Sequence, residues 1–451
     1  MAPPPLARAR PTEVAAVDLA VCDRCGVCLP LCPPEAIHLD FQDLLIESRR
    51  VPSARSRWSR MPDHDVLVVG AGPAGSVAAA EAKRAAPELD VLLIERDPFV
   101  GTPVRCAEGV GDPGLREFAD PDGAPWAARK ITRVIILAPD DTEVKVAWSD
   151  VAWILDRTRF DAALAAQAAA EGVEVQVATE AVGMGRTADG RWAMRLRTSS
   201  GEETVRAHVV IGADGVETMV GRWAGLDTRV PARDMESCAQ YVLDGIDFDA
   251  DAIYLQFGDH IAPGGYAWLF PKSERSANVG LGIVALKSDG RNAREYLDEW
   301  IARRYAGGTR TGYTVGGVIV HHTLKRTHTD GVMICGDAAH MVNPLSGGGI
   351  VNAMKSGRLA GRAAAAAIRA GDTSQARLAS YHQAWMDLLG EAHLKYYRIK
   401  QALADLDDAF FNGLARTVNG IPSHKRTLGR VFAHALVRHP QLIPVAARFF
   451  V

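Results

Sequence analysis

The residues best suited to chemistry come first in the chain. Cys22, Cys25, Cys28 and Cys32 fall within eleven residues of "VCDRCGVCLPLCPP" and are followed by Pro33. The spacing C-x2-C-x2-C-x3-C-P suits thiolate ligation of an iron–sulfur cluster. Zinc is the alternative, but its ligands come as paired knuckles about a dozen or more residues apart. The other three of the seven cysteines, Cys106, Cys238 and Cys335, are scattered. That usage points to a metal site in a reducing compartment, not to a disulfide framework. Cys238 and Cys335 read as core residues.

A second chemical signal lies in "HDVLVVGAGPAGSVAAAEAKRAAPELDVLLIER", residues 64–96. A strand over Asp65–Val69 enters Gly70-x-Gly72-x-x-Gly75. An alanine-rich helix and a second strand, Val91–Ile94, follow. This order is the context that a dinucleotide fingerprint requires. Gly70 permits a tight turn, Gly72 lets backbone approach a pyrophosphate, and Gly75 lets the helix lie close to the strand. The helix N-terminus then offers N–H groups to phosphate. Glu95, with Arg96 beside it, is placed to accept from an adenosine ribose hydroxyl. "HVVIGADGVETMVGR" closes a strand on Asp214-Gly215. "GVMICGDAAHMVNPLSGGGIVNAM" closes another on Gly336-Asp337 before a glycine-rich turn. Asp337 is placed for a ribityl chain, and Gly347, Gly348, Gly349 and Ile350 present N–H groups that favour negative charge on a reduced flavin. Each aspartate alone also fits an ordinary helix cap. The three segments together resemble those of two-domain, flavoprotein monooxygenase-like proteins, and that resemblance implies FAD.

Positioning these groups takes several elements. The chain has 451 residues, 48% hydrophobic and 23% charged, enough for two or three domains. A net charge of −3 gives no general attraction to nucleic acid. No window approaches the roughly 20 apolar residues of a membrane span, and "MAPPPLARARPTEV" lacks the apolar core of a signal peptide. A cytoplasmic protein is expected. Residues 17–33 also align with 46–62: Val17 with Ile46, Asp18 with Glu47, Cys32-Pro33 with Met61-Pro62. The other cysteines become Val51, Ala54 and Arg57. The pattern resembles a bacterial ferredoxin whose second ligand set has gone. Three outcomes stay open: a cluster with an unusual fourth ligand, a three-iron cluster, or an empty packing module. Near the other end, "YHQAWMDLLGEAHLKYYRIKQALADL" has helical apolar spacing. The tail "HKRTLGRVFAHALVRHPQLIPVAARFFV" is basic and apolar; it fits either an anionic membrane surface or a helix packed on the domain.

"VGAGPAGSVAA", "VGTPVRCAEGV", "ILDRTRFDAALAAQA", "PGGYAWLFPK" and "GDAAHMVNPLSGGGI" resemble the geranylgeranyl reductase family, above all its archaeal digeranylgeranylglycerophospholipid reductases. The resemblance spans about Asp65 to Ala415. It implies FAD-dependent hydrogenation of isolated double bonds in isoprenoid chains. It further implies FAD contacts at Ala74, Glu95, Cys106, Ala107, Gly109, Arg157, Asp337, Gly349 and Ile350. Ala181, by position, falls near the adenine. Tyr266, Trp268 and Phe270 alternate, so on a strand they share one face. That face lines an isoprenoid channel or is simply core, and the resemblance favours the channel. Cys106 beside the flavin either tunes it, donates a proton, or is a small buried residue. Catalytic expectations therefore fall on Cys106, Tyr266, Trp268 and His340, the last as a proton donor. Lys272 either meets a head-group phosphate or is a solvated strand end.

The expected architecture is α/β and α+β. A ferredoxin-like module covers 1–62, with an arginine-rich connector at its end. A Rossmann-type FAD domain takes 63–135, 151–218 and 326–372. A β-sheet substrate domain takes 136–150 and 219–325, and a helical region 373–451. The expected partners are an isoprenoid lipid, the inner face of the membrane, and an electron donor. That donor is a ferredoxin, or NAD(P)H through a reductase, and the N-terminal cluster would feed the flavin. An electron-transfer flavoprotein that reduces a quinone ring, and a flavin hydroxylase or halogenase, are the rival readings.

Overall fold

The computed structural model describes residues 62–422 and residue 438. The four cysteines Cys22–Cys32, their degenerate repeat and the basic tail lie outside the described residues.

Two sheets carry the molecule. In the first, the strands Val332–Ile334, Gly201–Gly212, Asp63–Val69, Val91–Ile94 and Glu174–Gln176 run parallel in that spatial order. A parallel sheet is covered on both faces, so its strands are apolar throughout. Val66, Leu67 and Val68 are accordingly fully buried, as are Leu92 and Leu93. The long strand Gly201–Gly212 also pairs antiparallel with Trp192–Thr198, which pairs with Glu180–Arg186.

The helix Pro73–Ala85 follows the glycine turn. Proline at its start is favourable because the missing N–H would lack an intrahelical partner anyway. Its alanines let the helix Ile350–Arg369 approach closely. A Cβ on Gly357 or Gly361 would come within 2.2 Å of the Ala74 or Ala78 carbonyl oxygen. The two helices therefore touch backbone to backbone.

The second sheet is mostly antiparallel. Its order is Thr309–Ile319, Met235–Asp244, Ser276–Val284, Tyr266–Pro271, Ala252–Gln256, Ala127–Leu137, Glu143–Leu155 and Gly109–Gly111. It takes in the whole hairpin 127–155, where the sequence assigns only 136–150 to this domain. The reason is pairing: Ala127–Leu137 lies parallel to Ala252–Gln256 and has no partner in the first sheet. One face is sealed by the helix Ala293–Arg304. There Leu297, Trp300 and Ile301 pack with Ala239, Ala267, Leu269, Val279 and Leu281. With a period of two, the residues between these must face the other way.

The helices Gln375–Trp385, Glu391–Leu403 and Asp408–Asn419 form the described C-terminal region, joined in part by a π-helical turn, Met386–Gly390. Buried Asp234, at the start of the second sheet, accepts from Lys400 Nζ at 2.7 Å and from the Tyr397 hydroxyl at 2.8 Å. This ties helix to sheet.

Candidate active site

A cavity of about 750 Å³ lies between the two sheets. This is within the usual size of a cofactor site, roughly 300–1,000 Å³. Its two walls are built differently.

One wall is backbone. Gly72 and Gly215 line it, and a Cβ on either would meet nothing within 4 Å, so peptide groups face open space. The helix Pro73–Ala85 begins at Gly72 and the helix Ile350–Arg369 at Gly349. Neither start has a side-chain cap. Two uncapped N-termini thus turn their N–H groups and positive dipole ends into one cavity. Ala74, Arg96, Asp214, Asp337, Gly347, Gly348 and Ile350 line the same wall. Arg96 is held in place by Glu217, at 2.8 and 2.9 Å.

The other wall is side chains on the second sheet. Tyr266, Trp268 and Phe270 share its cavity face, with ring centroids 5.9 and 6.5 Å apart. Trp268 Nε1 donates to Gln240 Oε1 at 2.9 Å, and Gln240 Nε2 donates to the Cys106 carbonyl. The Tyr266 hydroxyl donates to the Ser346 carbonyl at 2.7 Å, joining the aromatic strand to the glycine turn. Ile131, Val134, Ile253 and Leu255 extend this wall into an apolar limb.

At the junction sit Cys106, Ala107, Gly109 and Arg157. Arg157 forms a two-pronged pair with Asp161, both contacts 2.6 Å. Burial pushes the Cys106 thiol above its ordinary pKa, and the neighbouring Arg157 only partly offsets this. Cys106 is therefore a thiol at neutral pH. Burial likewise raises Asp337, again against Arg157, and pushes Asp214 up to about 6.

Several of the expected residues are engaged within the fold. Gly70 and Gly75 do not line the cavity. Gly70 has φ +97°, and a Cβ on Gly75 would sit 1.8 Å from the Gly70 oxygen, so their work is to close the turn. Glu95 accepts from the Ala71 and Asp97 N–H groups at 2.9 and 3.1 Å and braces that turn. Ala181 packs against the core of the first sheet. Lys272 is neither a phosphate ligand nor a solvated end. Its ammonium is clamped by Glu108 at 2.6 Å and by the Leu155 carbonyl at 2.7 Å. Glu108 also accepts from Asn278 Nδ2 and the Arg157 N–H, which holds its backbone at a strained φ of +73°. His340 is fully buried outside the cavity lining, and burial pushes it down to about 3. The imidazole is therefore neutral at pH 7, and its burial keeps it from the cavity. Asp214 lines the cavity and also caps, accepting from the Val220 N–H at 2.8 Å.

The sequence reading missed Glu236, Cys238 and Gln240. All three line the cavity from alternate positions of the strand Met235–Asp244, so Cys238 is not a core residue. Their period of two was the available signal.

The residues fit FAD. A pyrophosphate needs donors and a close backbone, and the uncapped helix start at Gly72 supplies both. A reduced flavin ring needs positive potential, which the helix start at Gly349 supplies. Among the described residues no cluster of three or more metal-ligating side chains occurs.

Comparisons agree with this geometry. Residues 65–254 match the family described as FAD dependent oxidoreductase, and 315–388 match FAD binding domain. Residues 234–318 match geranylgeranyl reductase catalytic domain. A digeranylgeranylglycerophospholipid reductase of Methanosphaerula palustris is 44% identical over 388 residues, covering 84% of this chain and 96% of its own. The crystal structure of a geranylgeranyl bacteriochlorophyll reductase-like protein from Thermoplasma acidophilum superposes with a TM-score of 0.79 at 32% identity. It covers 86% of this chain and 100% of that one. A flavin-dependent halogenase, TM-score 0.63 at 20% identity over 85% of this chain and 78% of its own, shares the fold alone. The chain, a flavin-dependent oxidoreductase, belongs to the geranylgeranyl reductase family.

Proposed function

We propose that this protein hydrogenates carbon–carbon double bonds in the geranylgeranyl chains of an isoprenoid lipid. One observation carries the reading: a single cavity joins a backbone wall suited to FAD to an aromatic and aliphatic wall suited to a hydrocarbon chain. When bound, FAD supplies the hydride. The protein does the rest. An isolated alkene has no polar handle, so position must come from packing against Trp268, Phe270 and the apolar limb of Ile131, Val134, Ile253 and Leu255. The same surfaces exclude water, which strengthens every charge interaction inside. The Glu108–Lys272 pair fixes the Cys106–Gly109 segment between the two walls.

The reading extends to three further points. The N-terminal cysteine run holds one iron–sulfur cluster that passes electrons to FAD, with a ferredoxin or an NAD(P)H-dependent reductase upstream. The basic, apolar tail rests on the inner face of the membrane, where the lipid substrate resides. No described helix is long and apolar enough to cross a membrane, which is compatible with surface docking.

The test is to incubate chemically reduced enzyme with a geranylgeranylated lipid and, separately, with menaquinone, and to read product masses. The lipid is expected to gain one H2 per double bond. Reduction of the quinone ring with both prenyl chains intact would overturn the proposal. Iron, sulfide and flavin analysis of anaerobic protein, with an EPR spectrum after dithionite, addresses the cluster; FAD without iron would remove it. Flotation with anionic vesicles addresses the tail, and failure to float would remove surface docking.

A further inference from the structure

Hydrogenating an isolated alkene needs an acid as well as a hydride, and the groups expected to act as one are disqualified by their surroundings. His340 is enclosed outside the cavity and neutral. Burial raises the Cys106 thiol, and raises the Tyr266 hydroxyl well above its ordinary value. Tyr266 is also engaged with the Ser346 carbonyl. Glu108 is saturated by Lys272, Asn278 and the Arg157 N–H.

Glu236 differs from all of these. It lines the cavity from a strand separated from the aromatic strand by Ser276–Val284 alone, and its carboxyl makes no hydrogen bond or ion pair among the described residues. The space around it is kept clear by glycine. A Cβ on Gly282 would come within 3.1 Å of Glu236 Oε2 and 3.0 Å of Cys238 Sγ. Gly282 is also the residue paired with Tyr266. On the other side, Glu236 pairs with Val318, beside Gly316 and Gly317.

We propose that the Glu236 carboxyl is the proton donor to the alkene. This rests on the double-bond reductase reading above. As the π bond breaks, one carbon takes the hydride and its electron pair from reduced FAD. The other carbon uses the π pair to bind the proton from Glu236. The alkene gains two electrons, FAD is left oxidised, and the carboxylate recovers its proton from water.

The charge environment suits the role. Burial pushes Glu236 up to about 7, close to the operating pH at which an acid works best. The opposing cation is Lys400, on the helix Glu391–Leu403, and Lys400 is itself paired with Asp234. Cys238 on the same strand and Tyr266 across the sheet also face the carboxyl; both carry raised pKa values and stay neutral. Cys106, electrostatically coupled to Cys238 and Tyr266, is likewise a neutral thiol.

The experiment compares wild type with Glu236→Gln and Glu236→Asp, each loaded with FAD, on a geranylgeranylated lipid. Glu236→Gln keeps its flavin content and loses about a hundredfold or more in turnover. Wild-type turnover falls as pH rises through about 7, and Glu236→Gln lacks that limb. Glu236→Asp keeps the limb at a lower rate. Independently of turnover, infrared titration of oxidised protein labelled with 13C-glutamate shows one protonated glutamate band that disappears near pH 7. Undiminished turnover in Glu236→Gln overturns the donor role alone. So does the absence of that band, which decides the matter even where the glutamine variant fails to fold. A wild-type enzyme that saturates no geranylgeranyl bond overturns the underlying reading, and the donor role with it.

Discussion

The two walls of the cavity solve recognition by opposite means. The FAD wall uses peptide groups, and its side chains matter chiefly by being absent. The sheet wall uses side chains, and its backbone serves only to space them. A backbone wall has almost no tolerance within the turn, because every atom there also holds the fold. A side-chain wall can change one group at a time. The difference predicts where a substitution costs the fold and where it costs only the ligand.

The largest effect is expected within the glycine turn itself. Gly75→Ala places a methyl 1.8 Å from the Gly70 oxygen, a distance no relaxation of a flexible side chain can relieve. The expected outcome is a loss of about 3 kcal/mol, the upper range for overpacking, together with loss of FAD. Gly72→Ala is the control. Gly72 has φ −67° and open space at its Cβ position. The variant should melt like wild-type apoprotein yet retain no FAD, since the methyl enters the space the pyrophosphate needs. Equal melting of the Gly75→Ala and Gly72→Ala apoproteins would erase the distinction between closing the turn and facing the ligand.

On the sheet wall the expected cost is smaller. Trp268→Phe keeps an aromatic face but leaves Gln240 Oε1 without its donor. An unpaired buried acceptor costs about 1–3 kcal/mol. FAD content should stay at the wild-type level, while KM for the lipid rises. Urea titration and flavin absorbance check the two halves. If FAD were lost here too, the walls would not be separable.

The same contrast decides what the sequence could reveal. Gly70, Gly75 and Gly347 were legible because a positive φ or a close approach allows few residue types, and the spacing follows from the turn. The alternation of Tyr266, Trp268 and Phe270 was legible because a strand has a period of two. Glu236, Cys238 and Gln240 have that same period, but polar residues on a strand usually face water, and only the second sheet's position turned this face inward. Lys272 was misread because its partner, Glu108, lies 164 residues away. The hairpin 127–155 was divided because nothing local marks which sheet a strand joins.

The smallest predicted effect concerns pH, and it separates the cavity from the body of the protein. Glu236 and Asp214, raised by burial, contribute stability that is fully present below their unfolded values and lost as pH rises through about 7 and about 6. Buried His340 and His393 are lowered, to about 3 and about 4. Their contribution is full above the unfolded histidine value of about 6.5 and is lost as pH falls toward those values. Apoprotein stability should therefore peak between the two trends, near pH 6 to 7. Each limb is shared, the basic one by Glu236 and Asp214 and the acid one by His340, His393 and His328, which burial lowers to about 4. His340→Asn, which tolerates the left-handed φ of +57°, should make the acid limb shallower and leave the basic limb alone. Glu236→Gln should do the reverse. Urea midpoints between pH 5 and 8 read both. If His340→Asn moved the basic limb, the cavity and the buried histidines would form one coupled network and not two independent regions.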